Sequence, residues 1–304
     1  MSVKVDHLTK FYGAQAALDD ISFEVKKGEV LGFLGPNGAG KTTTMKILTC
    51  FLKQSSGSAT VCGYDVSKEP LLVKKNIGYL PEGNPLYKDM YIKEYLHFVG
   101  SIYKVPKLKA RVDEMIERTG LTPERNKLIG QLSKGFKQRV GLAQAMIHNP
   151  EVLILDEPTS GLDPNQLVDI RNLIKELGQE KTIIFSTHIM QEVQAICDRV
   201  VIINNGKIVA DDTIETLREK VKGFKILFVE FAQQIDINLL KSLPNIRKVE
   251  AEGKNKFHIY SNPDKDIRPA ISKFASDNGL TLLEIRTEMS SVEDVFQKLT
   301  QGKK

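Results

Sequence analysis

The sequence predicts an α/β domain on a mostly parallel sheet over residues 1–215, followed by a smaller α+β domain over residues 216–304. Three observations predict it. Runs of Val, Ile and Leu at Glu29–Leu34, Ile77–Leu80, Val152–Leu155, Thr182–Ser186 and Val200–Ile203 are nearly continuous, as strands buried on both faces require. Amphipathic helical patterns such as Gln166–Leu177 lie between these runs. After about Thr216 the rhythm changes to short elements in the order β, α, β, β, α, β. A chain of 304 residues also suits a larger domain plus a smaller one.

Each element has a local reason. Asn205-Gly206, between Val200–Ile203 and Lys207–Ala210, predicts a hairpin, because the tight turn needs positive φ at both central residues. Residues 91–149 carry no strand pattern and read as helices broken at Pro106, at Gly120 to Pro123 and at Gly130, a helical insertion in the α/β core. Beyond Thr216, strand patterns occur at Lys225–Phe231, Ile246–Ala251, Lys256–Tyr260 and Leu280–Thr287, and helical ones at Asp236–Ser242 and Asp266–Asp277. That order is the ferredoxin-like pattern. A last short helix is expected over Ser291–Leu299.

Composition narrows the function classes. Apolar residues make up 41% of the chain, enough for a sizeable core, and charged residues 27%, an ordinary share. A net charge of +5 suits work near an anionic ligand or a membrane surface. No dense Lys/Arg tract with interleaved aromatics occurs, so no nucleic-acid partner is expected. Cys50, Cys62 and Cys197 form neither a CxxC nor a Cys/His cluster, which argues against a disulfide framework or a zinc site and for reduced thiols of a cytosolic protein. The first residues lack an apolar signal core, and no run approaches the roughly 18 apolar residues of a membrane span.

The sharpest local signal is Gly35-Pro36-Asn37-Gly38-Ala39-Gly40-Lys41-Thr42, followed by Thr43. It matches GxxxxGK[ST], follows a strand pattern and opens a helical one, which is the context a phosphate-cradling loop needs. Glycines let backbone N–H groups face phosphate oxygens without Cβ clashes, and the helix N-terminus adds positive dipole. Lys41 supplies a mobile charge for β/γ-phosphate oxygens, and Thr42 a hydroxyl ligand for Mg²⁺. A chance match in a chain this long is a roughly 1% event from residue frequencies alone.

Val152-Leu153-Ile154-Leu155 ends in Asp156-Glu157. An acid after a buried strand is often only a helix cap. Paired with the phosphate loop, Asp156 is placed to hold Mg²⁺ through water, and Glu157 to orient and deprotonate an attacking water. A guanine-selecting Asn-Lys-x-Asp is absent, since Asn126-Lys127 and Asn255-Lys256 both lack the Asp.

Residues 1–215 resemble the ATPase cassette of ABC transporters. The likeness rests on these two motifs together with Leu132-Ser133-Lys134-Gly135-Phe136, the run Asp156-Glu157-Pro158-Thr159-Ser160-Gly161-Leu162-Asp163, and Ser186-Thr187-His188, in the family's order. The resemblance implies a head-to-tail pair of cassettes, as a homodimer or with a paired cassette, with two MgATP between them. Ser133 and Gly135 would then reach the γ-phosphate across the dimer, Asp163 would sit at the seam, and His188 would contact the γ-phosphate and fix Glu157. Tyr12, in Lys10-Phe11-Tyr12-Gly13, stands where the family stacks an aromatic ring on adenine.

Three positions, in two motifs, depart from the family pattern. The usual signature is LSGGQ, and here Lys134 replaces the first Gly and Phe136 the Gln. Glu82, in Ile77-Gly78-Tyr79-Leu80-Pro81-Glu82-Gly83, occupies the place of the expected Gln. A carboxylate can accept from a Mg²⁺-bound water or bind the metal, but cannot donate an amide hydrogen bond. The end of the chain, Met289 to Thr300, resembles multidrug-type export ATPases. Gly78–Tyr87 and Gly161–Leu167 resemble the bacterial gliding-motility-associated ATP-binding subunits. A lone cassette of this kind implies integral membrane subunits on other chains and a peripheral place on the cytoplasmic face of the cell membrane. The rival readings are a non-transport ABC ATPase, which usually carries two cassettes or long coiled coils, and a non-hydrolysing module, against which Lys41, Asp156, Glu157 and His188 argue.

Overall fold

The runs of Val, Ile and Leu form the parallel heart of one sheet, because each strand has apolar partners on both faces. The computed structural model describes residues 1–217, 225–262 and 265–288. They fall into two compact units that divide at Ile214/Glu215. In chain order the first unit runs β1 (Val3–Tyr12), β2 (Gln15–Val25), β3 (Val30–Leu34), α1 (Lys41–Leu48), β4 (Ser56–Val61), β5 (Tyr64–Asp65), α2 (Pro70–Asn76) and β6 (Ile77–Leu80). It continues through α3 (Ile92–Ile102), α4 (Leu108–Arg118), α5 (Lys134–Met146), β7 (Val152–Asp156), α6 (Pro164–Gly178), β8 (Thr182–Thr187), α7 (Met190–Ile196), β9 (Arg199–Asn204) and β10 (Lys207–Thr213).

The main sheet has the order β10-β9-β3-β8-β7-β6. All pairs are parallel except the β9–β10 hairpin. Every residue of β3, β7 and β8 is buried. Asn205 and Gly206 have φ of 48° and 76°, the two positive values expected of that turn. A second sheet, β2-β1-β4-β5, is antiparallel, and its strands carry no continuous apolar run. Its strands alternate instead: Val3 and Val5 are buried while Lys4 is exposed, and Ile21, Phe23 and Val25 are buried. α1 touches both sheets, and Met45, Ile47 and Leu48 join Phe23, Phe33 and Ile154 in one core.

Residues 92–146 fold as helices, with α3, α4 and α5 packed on one another. α3 buries Ile92, Tyr95, Leu96 and Val99, the i, i+3, i+4, i+7 stripe of a helix with one apolar face. Arg111 of α4 donates to the carbonyls of Met146 and Ile147 at 2.7 and 3.1 Å, tying α4 to the end of α5. α5 also packs on β6, where Gly78 lies so close to the Ala145 carbonyl that a Cβ would overlap it.

The second unit contains β11 (Lys225–Phe231), α8 (Ile237–Lys241), β12 (Ile246–Ala251), β13 (Lys256–Ser261), α9 (Arg268–Asp277) and β14 (Leu282–Glu288). Its sheet order is β12-β13-β11-β14, with every pair antiparallel. Leu227, Val229, Phe231, Phe257 and Ile259 form its core with Leu240 and Ile271 from the helices. The helix expected over Ser291–Leu299 and the export-type ending lie outside the described residues. Cys50, Cys62 and Cys197 are free thiols, and burial pushes the Cys197 thiol pKa up, away from reactivity.

The close approach at Gly78 generates a prediction. Gly78→Ala should destabilise the protein by about 1–3 kcal/mol through overpacking of β6 against α5. The check is the urea midpoint, which should fall while the m-value stays unchanged.

Candidate functional site

Parallel pairing brings the carboxyl ends of β3, β8, β7 and β6 to one edge of the sheet, the usual place for a ligand in an open α/β sheet. From them leave the Gly35–Gly40 loop, His188, Glu157 and the Pro81-Glu82 turn. An open cleft of about 300 Å³ lies there, lined by Ala17, Asn37, Gly38, Gly40, Lys41, Thr42, Thr43, Glu82 and Glu157.

The loop is shaped by Gly40, whose φ of 111° an L side chain rarely adopts and whose Cβ would meet the Ala17 carbonyl at 2.7 Å. That contact seats the β1–β2 hairpin against the loop. α1 starts at Lys41 with no side-chain cap and no acid in its first turn, so its N-terminal amides suit an anion. Lys41 is 6% exposed. Its Nζ donates to the Gly35 and Pro36 carbonyls at 2.8 and 3.2 Å and pairs with Glu157 Oε1 at 3.3 Å. The loop, its cation and the acid thus form one buried cluster.

Glu157 is held tightly. Its φ is 51°, uncommon for a residue other than glycine, and its N–H donates to both Ser186 oxygens at 3.1 Å. His188 Nδ1 donates to Glu157 Oε2 at 2.9 Å. Behind His188, Thr187 donates to the fully buried Glu192 at 2.6 Å. Asp156 is fully buried, and its Oδ1 accepts from Ser186 Oγ at 2.5 Å while its Oδ2 has no partner. Burial raises its pKa above the ordinary 3.8, with the side chains of Ser186 and Thr42 opposing the rise and Glu82 adding to it.

The orphaned Asp156 oxygen, the Thr42 hydroxyl facing that carboxylate and the Glu82 carboxylate make an all-oxygen donor set, which fits a hard divalent cation. Among the described residues no group of three His, Cys, Asp or Glu forms a self-sufficient metal cage. A cation here would draw further ligands from phosphate and water, as Mg²⁺ usually does.

The structure also separates residues that the sequence grouped. Tyr12 is 51% exposed at the tip of β1, with Lys10 Nζ 5.5 Å above its ring, and it does not line the cleft. Ala39 is buried within the loop. Ser133 caps α5, accepting from the Phe136 N–H at 3.3 Å, and Asp163 caps α6, accepting from the Asn165 and Gln166 N–H groups at 3.1 and 3.0 Å. Gly135 lies against the Gln166 side chain. Ser133, Gly135 and Asp163 do not line their own chain's cleft. Sequence reasoning missed Ser186 and Ala17 as site residues. Ser186 stood beside Thr187-His188, but its pairing with Asp156 comes only from the β7–β8 register.

The family model "ABC transporter" matches residues 18–160. The chain is 35% identical over 302 residues to the bacitracin transport ATP-binding protein BcrA of Bacillus licheniformis, covering 99% of this chain and 97% of that one. It is 33% identical over 304 residues to the linearmycin resistance ATP-binding protein LnrL of Bacillus subtilis, covering 98% of each. A solved ATP-binding subunit of an ABC transporter superposes with a TM-score of 0.66 at 29% identity, over 72% of this chain and 93% of that one.

Asp156 supplies a stability test. Its folded pKa lies above its unfolded value, so ionisation opposes folding fully above the folded value and not at all below the unfolded one. Ligand-free stability should therefore fall as pH rises between those two values. Asp156→Asn should remove that dependence and raise the ligand-free Tm at neutral pH, at about 2–4 °C per kcal/mol relieved. Thermal unfolding of both proteins from acid to neutral pH is the check.

Proposed function

The chain belongs to the ABC transporter family as an ATP-binding, ATP-hydrolysing subunit, and on that premise we propose how its residues divide the work. The observation that carries the reading is the Lys41–Glu157–His188 cluster at the edge of the phosphate-loop cleft. In the ligand-free chain Lys41 and Glu157 neutralise each other. The β- and γ-phosphates compete for Lys41 and for the α1 amides, which frees Glu157 to accept a proton from the attacking water. His188, fixed on Glu157, orients that acid and faces the γ-phosphate. Thr42 and the unpartnered oxygen of Asp156 would hold Mg²⁺, with Glu82 on the same cleft wall. When bound, Mg²⁺ neutralises charge on the β- and γ-oxygens. Tyr12, on the hairpin that meets the loop through Ala17, stacks on the adenine.

Ser133, Gly135 and Asp163 stand at helix starts outside their own cleft. That place suits residues that serve the nucleotide of a partner cassette, so the working unit is a head-to-tail homodimer or a paired cassette. Among the described residues no helix is long and apolar enough to cross a membrane. Membership of this family supports integral membrane subunits on other chains that supply the path, with this subunit working peripherally on the cytoplasmic face. Relatives named for bacitracin transport and linearmycin resistance support export. The narrower likeness to gliding-motility subunits rests on Gly78–Tyr87 and Gly161–Leu167 alone. We read the second unit, from its βαββαβ order and its β12-β13-β11-β14 sheet, as a ferredoxin-like accessory domain that touches no ATP.

Two measurements test this. Glu157→Gln should bind MgATP with near-parental affinity, hydrolyse it about 10²–10⁴-fold more slowly, and accumulate as an ATP-bound dimer. Parental turnover with no ATP-dependent dimer would place the base elsewhere. A protein ending at residue 217 should fold and bind MgATP by calorimetry, and loss of binding would refute an accessory second domain.

A further inference from the structure

Lys134 is one of two departures from the usual signature, and the charged one; the function above leaves it unused. It is the first residue of α5, directly after Ser133, and it is exposed. A cation there works against the helix dipole, and the first turn of α5 holds no acid to offset it. Among the described residues the Lys134 side chain makes no hydrogen bond or ion pair. Its ammonium lies instead on Gly161, in the space a Cβ would occupy, where Gly161 has a φ of 67°. Gly161 belongs to the loop between Glu157 and Asp163. One residue further along α5, Gly135 abuts Gln166 in the first turn of α6. The starts of α5 and α6 are therefore interlocked beside the catalytic loop, and Lys134 is a charge at that junction with no counter-ion.

We propose that Lys134 is a further phosphate-binding group of the signature segment, supplying positive charge to the γ-phosphate of the ATP held by the partner copy. The inference rests on the paired-cassette reading above. Its chemistry is that of a mobile point charge on a flexible stem, which can leave Gly161 for a phosphate without breaking any polar contact. The charge also bears on ATP over ADP, since only ATP carries the γ-phosphate that the signature segment faces.

The test uses the full chain in the Glu157→Gln background, with MgATP and sedimentation equilibrium. Adding Lys134→Gln, which keeps the length and removes the charge, should weaken ATP-dependent dimerisation by about tenfold or more, the scale of one charge-assisted hydrogen bond. Adding Lys134→Arg should hold the dimer within about threefold of the parent, less than half the energy of such a bond. The Gln variant should also lose part of the salt dependence of dimerisation, while ATP affinity at protein concentrations below the dimer range, and Tm, stay unchanged. Equal dimerisation of the Gln variant and the parent overturns the proposal, as does an Arg variant as weak as Gln. A dimer loss accompanied by a lower Tm or weaker ATP binding of the monomer overturns it in favour of a packing role on Gly161. If Glu157→Gln alone stays monomeric in MgATP, the paired-cassette reading fails and this inference falls with it.

Discussion

The parallel pairing of β7 with β8 sets Asp156 opposite Ser186, and the chemistry of the site hangs from that register. Through one side chain and one carbonyl, Ser186 holds the Asp156 carboxylate and the Glu157 N–H. The strand on the other side of β8 is β3, which delivers the phosphate loop and Lys41. A slip of one residue would turn Asp156 to the opposite face and remove Ser186 from both acids. Full burial of β3, β7 and β8 on both faces opposes that slip, because every side chain would move to the other packed face, where the space is shaped for a different residue.

The same arrangement holds charge where charge is expensive. Lys41 and Glu157 are paired at 3.3 Å in a nearly closed environment, and removing either would leave an uncompensated buried ion, which usually costs about 3–5 kcal/mol. Asp156 keeps an oxygen with no partner, and Glu157 keeps a backbone conformation that few residues adopt. Each feature opposes stability in the ligand-free chain, and in the function proposed above each becomes useful once a polyphosphate and its cation enter the cleft. Stability and activity thus pull on the same residues in opposite directions.

A second surface is built by a different device. The starts of α5 and α6 meet where Gly135 admits Gln166 and Gly161 admits Lys134. The side-chain oxygens of Ser133 and Asp163 cap these helices, which fixes where each helix begins.

Much of the site was legible in the residues alone. The phosphate loop is local: glycine spacing, Lys41, Thr42, a strand before and a helix after suffice to define its chemistry. Asp156-Glu157 was legible because an apolar strand ending in two acids is also a local pattern. Five of the six strands of the main sheet showed as continuous apolar runs, and α3 to α5 as a stretch without strands. The antiparallel sheet of β1, β2, β4 and β5 was legible only as alternation, a fainter signal than continuous burial. Tertiary structure alone decided that Ser186 serves both acids, that Ala17 meets Gly40, that Lys41 rests on Glu157, and that Lys134 lies over Gly161. These pairs are 30, 23, 116 and 27 positions apart. Local propensity acts over a few residues, whereas contacts at such separations exist only after strand register and helix packing have been chosen by burial of the core.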